Sequence, residues 1–185
     1  MTSIEEDIRS WSSEVLEVPN EHLDGLPACP YAKAAWAKNK VSVAEVENIY
    51  SGMAYEADKF FDHDYDLVIV ASYNLPDSDD FWGVTEILND LYAKRDLHLM
   101  VFHPDYGAEE ADLDFLYDHE WESGIDAEYC MVFIQRLSQV DEASRSLQKL
   151  GYYKAFSRED FETLVLDRRR RLQNGDETSL DEEEG

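Results

Sequence analysis

Leu67-Val68-Ile69-Val70-Ala71 is an unbroken apolar run, preceded by Asp66, in a chain otherwise rich in charge. β-Branched Val and Ile pack well on a pleated surface. With no polar residue alternating, the run reads as a strand covered on both faces. Covering elements lie on either side of it in the chain. Downstream, Pro76-Asp77-Ser78 opens a helix whose Phe81, Val84, Leu88 and Leu91 are expected to face inward. Leu97 to Phe102 is the next strand, interrupted by His98, and it runs into His103-Pro104-Asp105-Tyr106-Gly107. Upstream, Ala54 to Phe61 reads as helix, and Val41, Val43 and Val46 as a short strand with Ser42 and Glu45 between them.

The ends of the chain add helices. Thr2 and Ser3, with Glu5 and Glu6 three residues on, offer overlapping capping boxes. Ile4, Ile8, Trp11 and Val15 then share one helical face, and Pro19 and Asn20 end that helix. Tyr129 to Ile134 is a fourth strand. Ser138 is expected to cap a helix buried through Val140, Ala143, Leu147 and Leu150, with Gly151 as its C-cap. Ser157 and Asp160 open a last helix that buries Phe161, Leu164 and Val165 and ends in Arg168 to Arg171. This alternation gives an α/β or α+β domain over residues 1–172, a sheet of about four strands flanked by helices. Residues 173–185 lack periodicity and hydrophobes, and are expected to form a disordered acidic tail. There is no internal repeat.

Composition narrows the function. The 185 residues, 44% hydrophobic and 12% aromatic, can bury a real core. Their 42 acidic and 16 basic residues leave a formal charge of −26. That argues against nucleic acid and anionic membranes as direct ligands, and suits a soluble chain, a basic protein partner, a salt-rich setting or mimicry of nucleic acid; the charges are spread over every helix, so plain solvation is the simpler reading. Two cysteines, Cys29 and Cys130, are too few for a disulfide framework, so a reducing cytoplasm is expected. No stretch approaches the ~20 apolar residues of a membrane span, and the acidic N-terminus is unlike a signal peptide. No Walker loop, Gly-x-Gly-x-x-Gly or Gly-x-Ser-x-Gly is present, so nucleotide-dependent transfer and serine hydrolysis have no support. The sequence names no cofactor and no small-molecule ligand.

Two motifs carry chemistry. In Pro27-Ala28-Cys29-Pro30-Tyr31-Ala32-Lys33-Ala34-Ala35-Trp36, Pro30 suits the first position of a helix. Cys29 is then the expected N-cap, where free N–H groups and the dipole favour the thiolate. The bland alternative is a small apolar residue filling a gap. His103 follows a strand at its carboxyl end, where sites gather in α/β sheets, and a long loop follows it. It is a candidate base or metal ligand, oriented by Asp105 or Tyr106; the alternative is a histidine hydrogen-bonded into a turn. His119, among Asp118, Glu120 and Glu122, is a second candidate metal ligand beside His103, though a solvated loop histidine is the simpler reading. Tyr31, Trp36, Phe81 and Trp82 either line a pocket near Cys29 or belong to the core, and Cys130 reads as a buried core thiol.

Cys29-Pro30-Tyr31-Ala32-Lys33 together with Phe102-His103-Pro104-Asp105-Tyr106 resembles an uncharacterised bacterial domain family with a Cys-Pro-Phe-Ala-Lys helix start and a Phe-His-Pro-x-Tyr strand end. The resemblance spans about residues 5 to 150 and implies a fold and a site but no reaction. Where that family tends to carry Asn-Arg-Ser-Pro-Tyr-Pro, this chain has Asp118-His119-Glu120-Trp121-Glu122-Ser123-Gly124. Cys-Pro-Tyr-Ala also resembles the glutaredoxin Cys-Pro-Tyr-Cys start, but Ala32 replaces the second cysteine and no buried strand precedes it. Three functions follow as expectations: a small enzyme or redox or metal protein using Cys29 and His103 at one site; an acidic, non-enzymatic interaction or regulatory module, a nucleic-acid mimic or a binder of a basic partner; or a structural subunit of a larger assembly.

Overall fold

The computed structural model describes residues 3–105 and 128–181, apart from the side chains of His22 and of residues 175–181. The run that opens the sequence argument is β2, Leu67–Ser72. It pairs in parallel with β1, Val41–Glu45, and antiparallel with β4, Cys130–Arg136, which pairs antiparallel with β3, Leu97–Phe102. The order is β1-β2-β4-β3, so the fold is α+β with a four-stranded mixed sheet. β1, β2 and β3 point one way and β4 the other.

Side chains alternate across the sheet with a period of two. Val68, Val70, Leu99, Val132 and Ile134 face α3, Ile49–Lys59, and α4, Ser78–Tyr92. Ile69, Ala71, Met131 and Phe133, with Met100 and Phe102, face α1, Ile4–Trp11. β2 is therefore covered on both faces, as its unbroken run predicts. Each fully buried Val or Ile contributes roughly 1.5–3 kcal/mol relative to exposure.

Local signals place most helix ends. Ser3 accepts from the Glu6 N–H while Glu6 reaches back to the Ser3 N–H, and a π-helical turn, Ser12–Leu16, extends α1. α3 starts well before the expected Ala54, because Asn48 accepts from the Ser51 N–H at 3.0 Å and caps it. Gly52 is required there: a Cβ would lie 2.7 Å from Val46 Cγ2. α5, Leu137–Leu150, is capped across space and not by Ser138 itself. Asp96, left-handed at φ 56°, accepts from the Ser138 N–H at 2.7 Å and from its hydroxyl at 2.6 Å. Gly151 ends α5 at φ 89°, as expected. Ser157 and Asp160 form the expected capping box on α6, Arg158–Phe161.

Two buried faces differ from the apolar periodicity. On α4 the buried line is Phe81, Thr85 and Asn89, whereas Val84 and Leu91 lie outside. Asn89 decides this: its amide donates to the Leu99 carbonyl at 3.0 Å and accepts from the Leu99 N–H at 2.8 Å. That draws the polar side of the helix onto the open edge of β3. On α5 Asp141 and Ser144 are buried beside Leu137 and Leu147, and Leu150 is exposed.

The last helix also runs on. α6 passes through a π-helical turn, Glu162–Leu166, into α7, Asp167–Asp181. Its backbone thus continues beyond Gln173, into the segment expected as a tail; residues 182–185 lie outside the described residues. The arginine run sits at the start of α7 and is spent on the body of the protein. Arg169 bonds Asp141 at 2.8 Å, and Arg171 bonds Glu86 at 2.6 Å and Asp90 at 2.8 Å. No described helix is long and apolar enough to cross a membrane.

Candidate functional site

Cys29 is not a helix cap. α2 spans Ala32–Ala37, and its N-cap is Tyr31. Cys29 lies two residues earlier, where its N–H donates to the Leu16 carbonyl at 2.9 Å and its carbonyl accepts from Ala32 at 3.1 Å. Next to it, the Tyr152 hydroxyl donates to the Ala28 carbonyl at 2.7 Å. The segment is thereby clamped between the end of α1 and the chain after α5. Burial pushes the Cys29 thiol up. The N–H groups of Tyr31 and Ala32 work in the other direction but do not outweigh it, and Glu17 adds to the rise. This direction is opposite to the lowering expected of a helix-capping thiol. Cys130 is buried in β4 as expected, and its thiol is pushed up to about 11 by burial.

His103 is 2% exposed. The Asp105 N–H donates to Nδ1 at 3.1 Å, which leaves the proton on Nε2, 3.1 Å from the Pro76 carbonyl. Both nitrogens therefore tie the exit of β3 to the loop entering α4, and the ring lies edge-on to Phe81. It is Asp105's backbone that orients the ring; its carboxylate is 3.7 Å from Nδ1. Tyr106 and His119 lie outside the described residues. Among the described residues no group of His, Cys, Asp and Glu is arranged to hold a metal.

Cys29 and His103 sit in different layers. Following the alternation of β3, His103 falls on the α3 and α4 face, beside Phe81. Cys29 is bonded to Leu16, which packs on the α1 face. The four aromatics do not converge on Cys29 either. Phe81 is core, and Tyr31 is exposed. Trp36 Nε1 donates to Ser12 Oγ at 3.0 Å beneath the Arg9 guanidinium.

A different grouping emerges at the carboxyl ends of β1, β2 and β3, which share one edge of the sheet with the start of β4. Glu45 and Glu47 follow β1; Asp77, Asp79 and Asp80 follow β2; Asp105 follows β3; Glu128 precedes β4. All of them are exposed. Asp7 of α1 is close enough to Tyr129 that, after burial, its charge helps push that phenol up to about 12. None of residues 45–50, 72–80, 103–105 or 128–129 is Lys or Arg. The sequence holds the signal, an acid after each strand, but it becomes a surface only once the strand directions are known.

The opposite edge is balanced. Lys40 pairs with Asp64, Arg95 with Asp58, and Arg136 lies 4.6 Å over the Phe61 ring. His98 is buried there, 7% exposed, and its pKa is lowered to about 3 by burial and by the charges of Arg168 and Arg171. Asp141 is held below the usual carboxylate range: burial alone would raise it, but Arg145 and Arg169 outweigh that.

No protein-family model matches the chain, and neither a curated protein nor a solved structure does.

Proposed function

We propose that this protein is a non-enzymatic acidic module whose carboxyl-edge surface engages a basic partner protein. The observation that carries the reading is the one-sided charge: exposed carboxylates after β1, β2 and β3, with no cation in the segments that bear them. Carboxylates gathered on one edge sum into a directional field that speeds encounter with a cation and fixes its orientation. The same charges distributed evenly would only solvate. The thiol pushed up at Cys29 and the two engaged nitrogens of His103 withdraw support from shared nucleophilic chemistry.

The test compares two variants of equal net charge on immobilised poly-L-lysine. One is Glu47→Gln with Asp79→Asn and Asp80→Asn, at the carboxyl edge; Asp77 is spared because it caps α4. The other is Asp62→Asn with Asp64→Asn and Asp66→Asn, at the opposite edge. The expected result is salt-sensitive retention that falls by about tenfold in the first variant and little in the second. Equal losses would mean that retention follows net charge alone and would overturn the reading.

A further inference from the structure

We infer that the outer apolar line of α4 is a docking face for a cationic amphipathic helix of the partner. The inference rests on the acidic-module reading above. α4 carries more apolar surface than the fold uses. Its inner line is Phe81, Thr85 and Asn89, with Leu88 and Tyr92 packed beside it. Its outer line is Val84, Ile87 and Leu91, at the spacing of one helical face. These side chains are 37%, 65% and 58% exposed. Where α4 meets the open edge of β3 it bonds Leu99 through Asn89, on its inner line, and the outer line takes no part in that contact.

Charge complementarity selects the occupant. Asp79 and Asp80 stand in the first turn of the same helix, exposed and outside the ion pairs formed among the described residues. Farther along, Glu86 and Asp90 lie on one side of the line and share Arg171. An apolar strip with carboxylates at its start and along one side matches a helix with leucine-like residues on one face and Lys or Arg beside them. Size agrees: from Val84 to Leu91 the strip runs about 10 Å, two turns. That suits a short helical segment better than the ~800 Å² per side of a standard protein interface. A second copy would also bring a charge of −26 against −26.

The probe is a fluorescent Lys/Leu peptide patterned as an amphipathic helix, set against a scrambled peptide of identical composition. Both are titrated into the full chain and into an Ile87→Ser, Leu91→Ser variant. Both positions are solvent-exposed, and circular dichroism melting confirms that the variant folds. The amphipathic peptide should bind at least about tenfold more tightly than the scrambled one, and the variant should abolish that difference while keeping poly-L-lysine retention. Equal affinity for the two peptides, or an undiminished difference in the variant, overturns the docking face and leaves the acidic edge standing. No retention of the unmodified chain on poly-L-lysine overturns both. Self-association of the unmodified chain that the variant abolishes assigns the strip to a second copy and overturns the inference.

Discussion

The two edges of the sheet use charge in opposite ways. At the amino edge, and along the seam of α5 and α7 beside it, charges are engaged: Lys40 pairs with Asp64, Arg95 with Asp58, Asp141 with both Arg145 and Arg169, and Asp96 accepts from Ser138. At the carboxyl edge Glu45, Glu47, Asp79, Asp80 and Glu128 face water with no basic residue in their connecting segments. A net charge of −26 is thus the average of a region where charge builds structure and a region where it does not. Substitution of a buried residue of the first kind, such as Asp141, should fail in folding, and of the second kind in association.

That contrast can be broken first at Asp141. It is buried and accepts from two guanidinium groups, so Asp141→Ala removes the carboxylate and leaves Arg169 without its main partner. We expect a loss of about 3 kcal/mol in denaturant unfolding. Asp79→Asn and Asp80→Asn should stay within about 0.5 kcal/mol of the parent. Comparable losses at both places would abolish the distinction.

His98 sharpens the contrast through pH. In the folded chain its pKa is about 3, while unfolded it returns to the ordinary value near 6.5. Between those values the unfolded state binds the proton and the folded state does not. Stability therefore falls as pH drops below about 6.5, by up to about 1.4 kcal/mol per pH unit from this group alone. His98→Leu should flatten the limb between pH 6 and 4 in urea titrations, and an unchanged slope would count against burial as the cause.

A smaller loss than that at Asp141 is expected at Asp96. Asp96→Ala removes the cap that reaches Ser138 from another element, and should cost about 1 kcal/mol. Asp96→Asn should recover most of that in thermal melts, because a neutral amide oxygen can still accept.

What the sequence disclosed was what is decided locally. The apolar run at Leu67, the capping pairs Ser3–Glu6 and Ser157–Asp160, and Gly151 were legible because each depends on neighbours within a few residues. The burial of α4 was not. Val84 and Leu91 carry a valid helical period, but Asn89 bonds Leu99 across the fold, and nothing near Asn89 in the chain announces that partner. The surroundings of the candidate residues were illegible for the same reason: His103 bonds the Pro76 carbonyl and lies edge-on to Phe81, Cys29 bonds the Leu16 carbonyl, and neither set of partners is near in the chain. The acidic edge was hidden in plain view, since its members are scattered along the chain and only the common direction of β1, β2 and β3 brings them together.

The position of β4 sets the order in which this protein can be made. The strand emerges last yet lies between β2 and β3. Until residue 136 has left the ribosome, β3 has no partner among the described strands, and Val68, Val70 and Leu99 lack the facing Val132 and Ile134. The nascent chain therefore carries two unjoined fragments of sheet, and closure is a late insertion of one strand into a waiting slot. Contacts so distant in sequence fold slowly, which makes β4 the keystone of assembly and its arrival the step at which a chaperone would matter most.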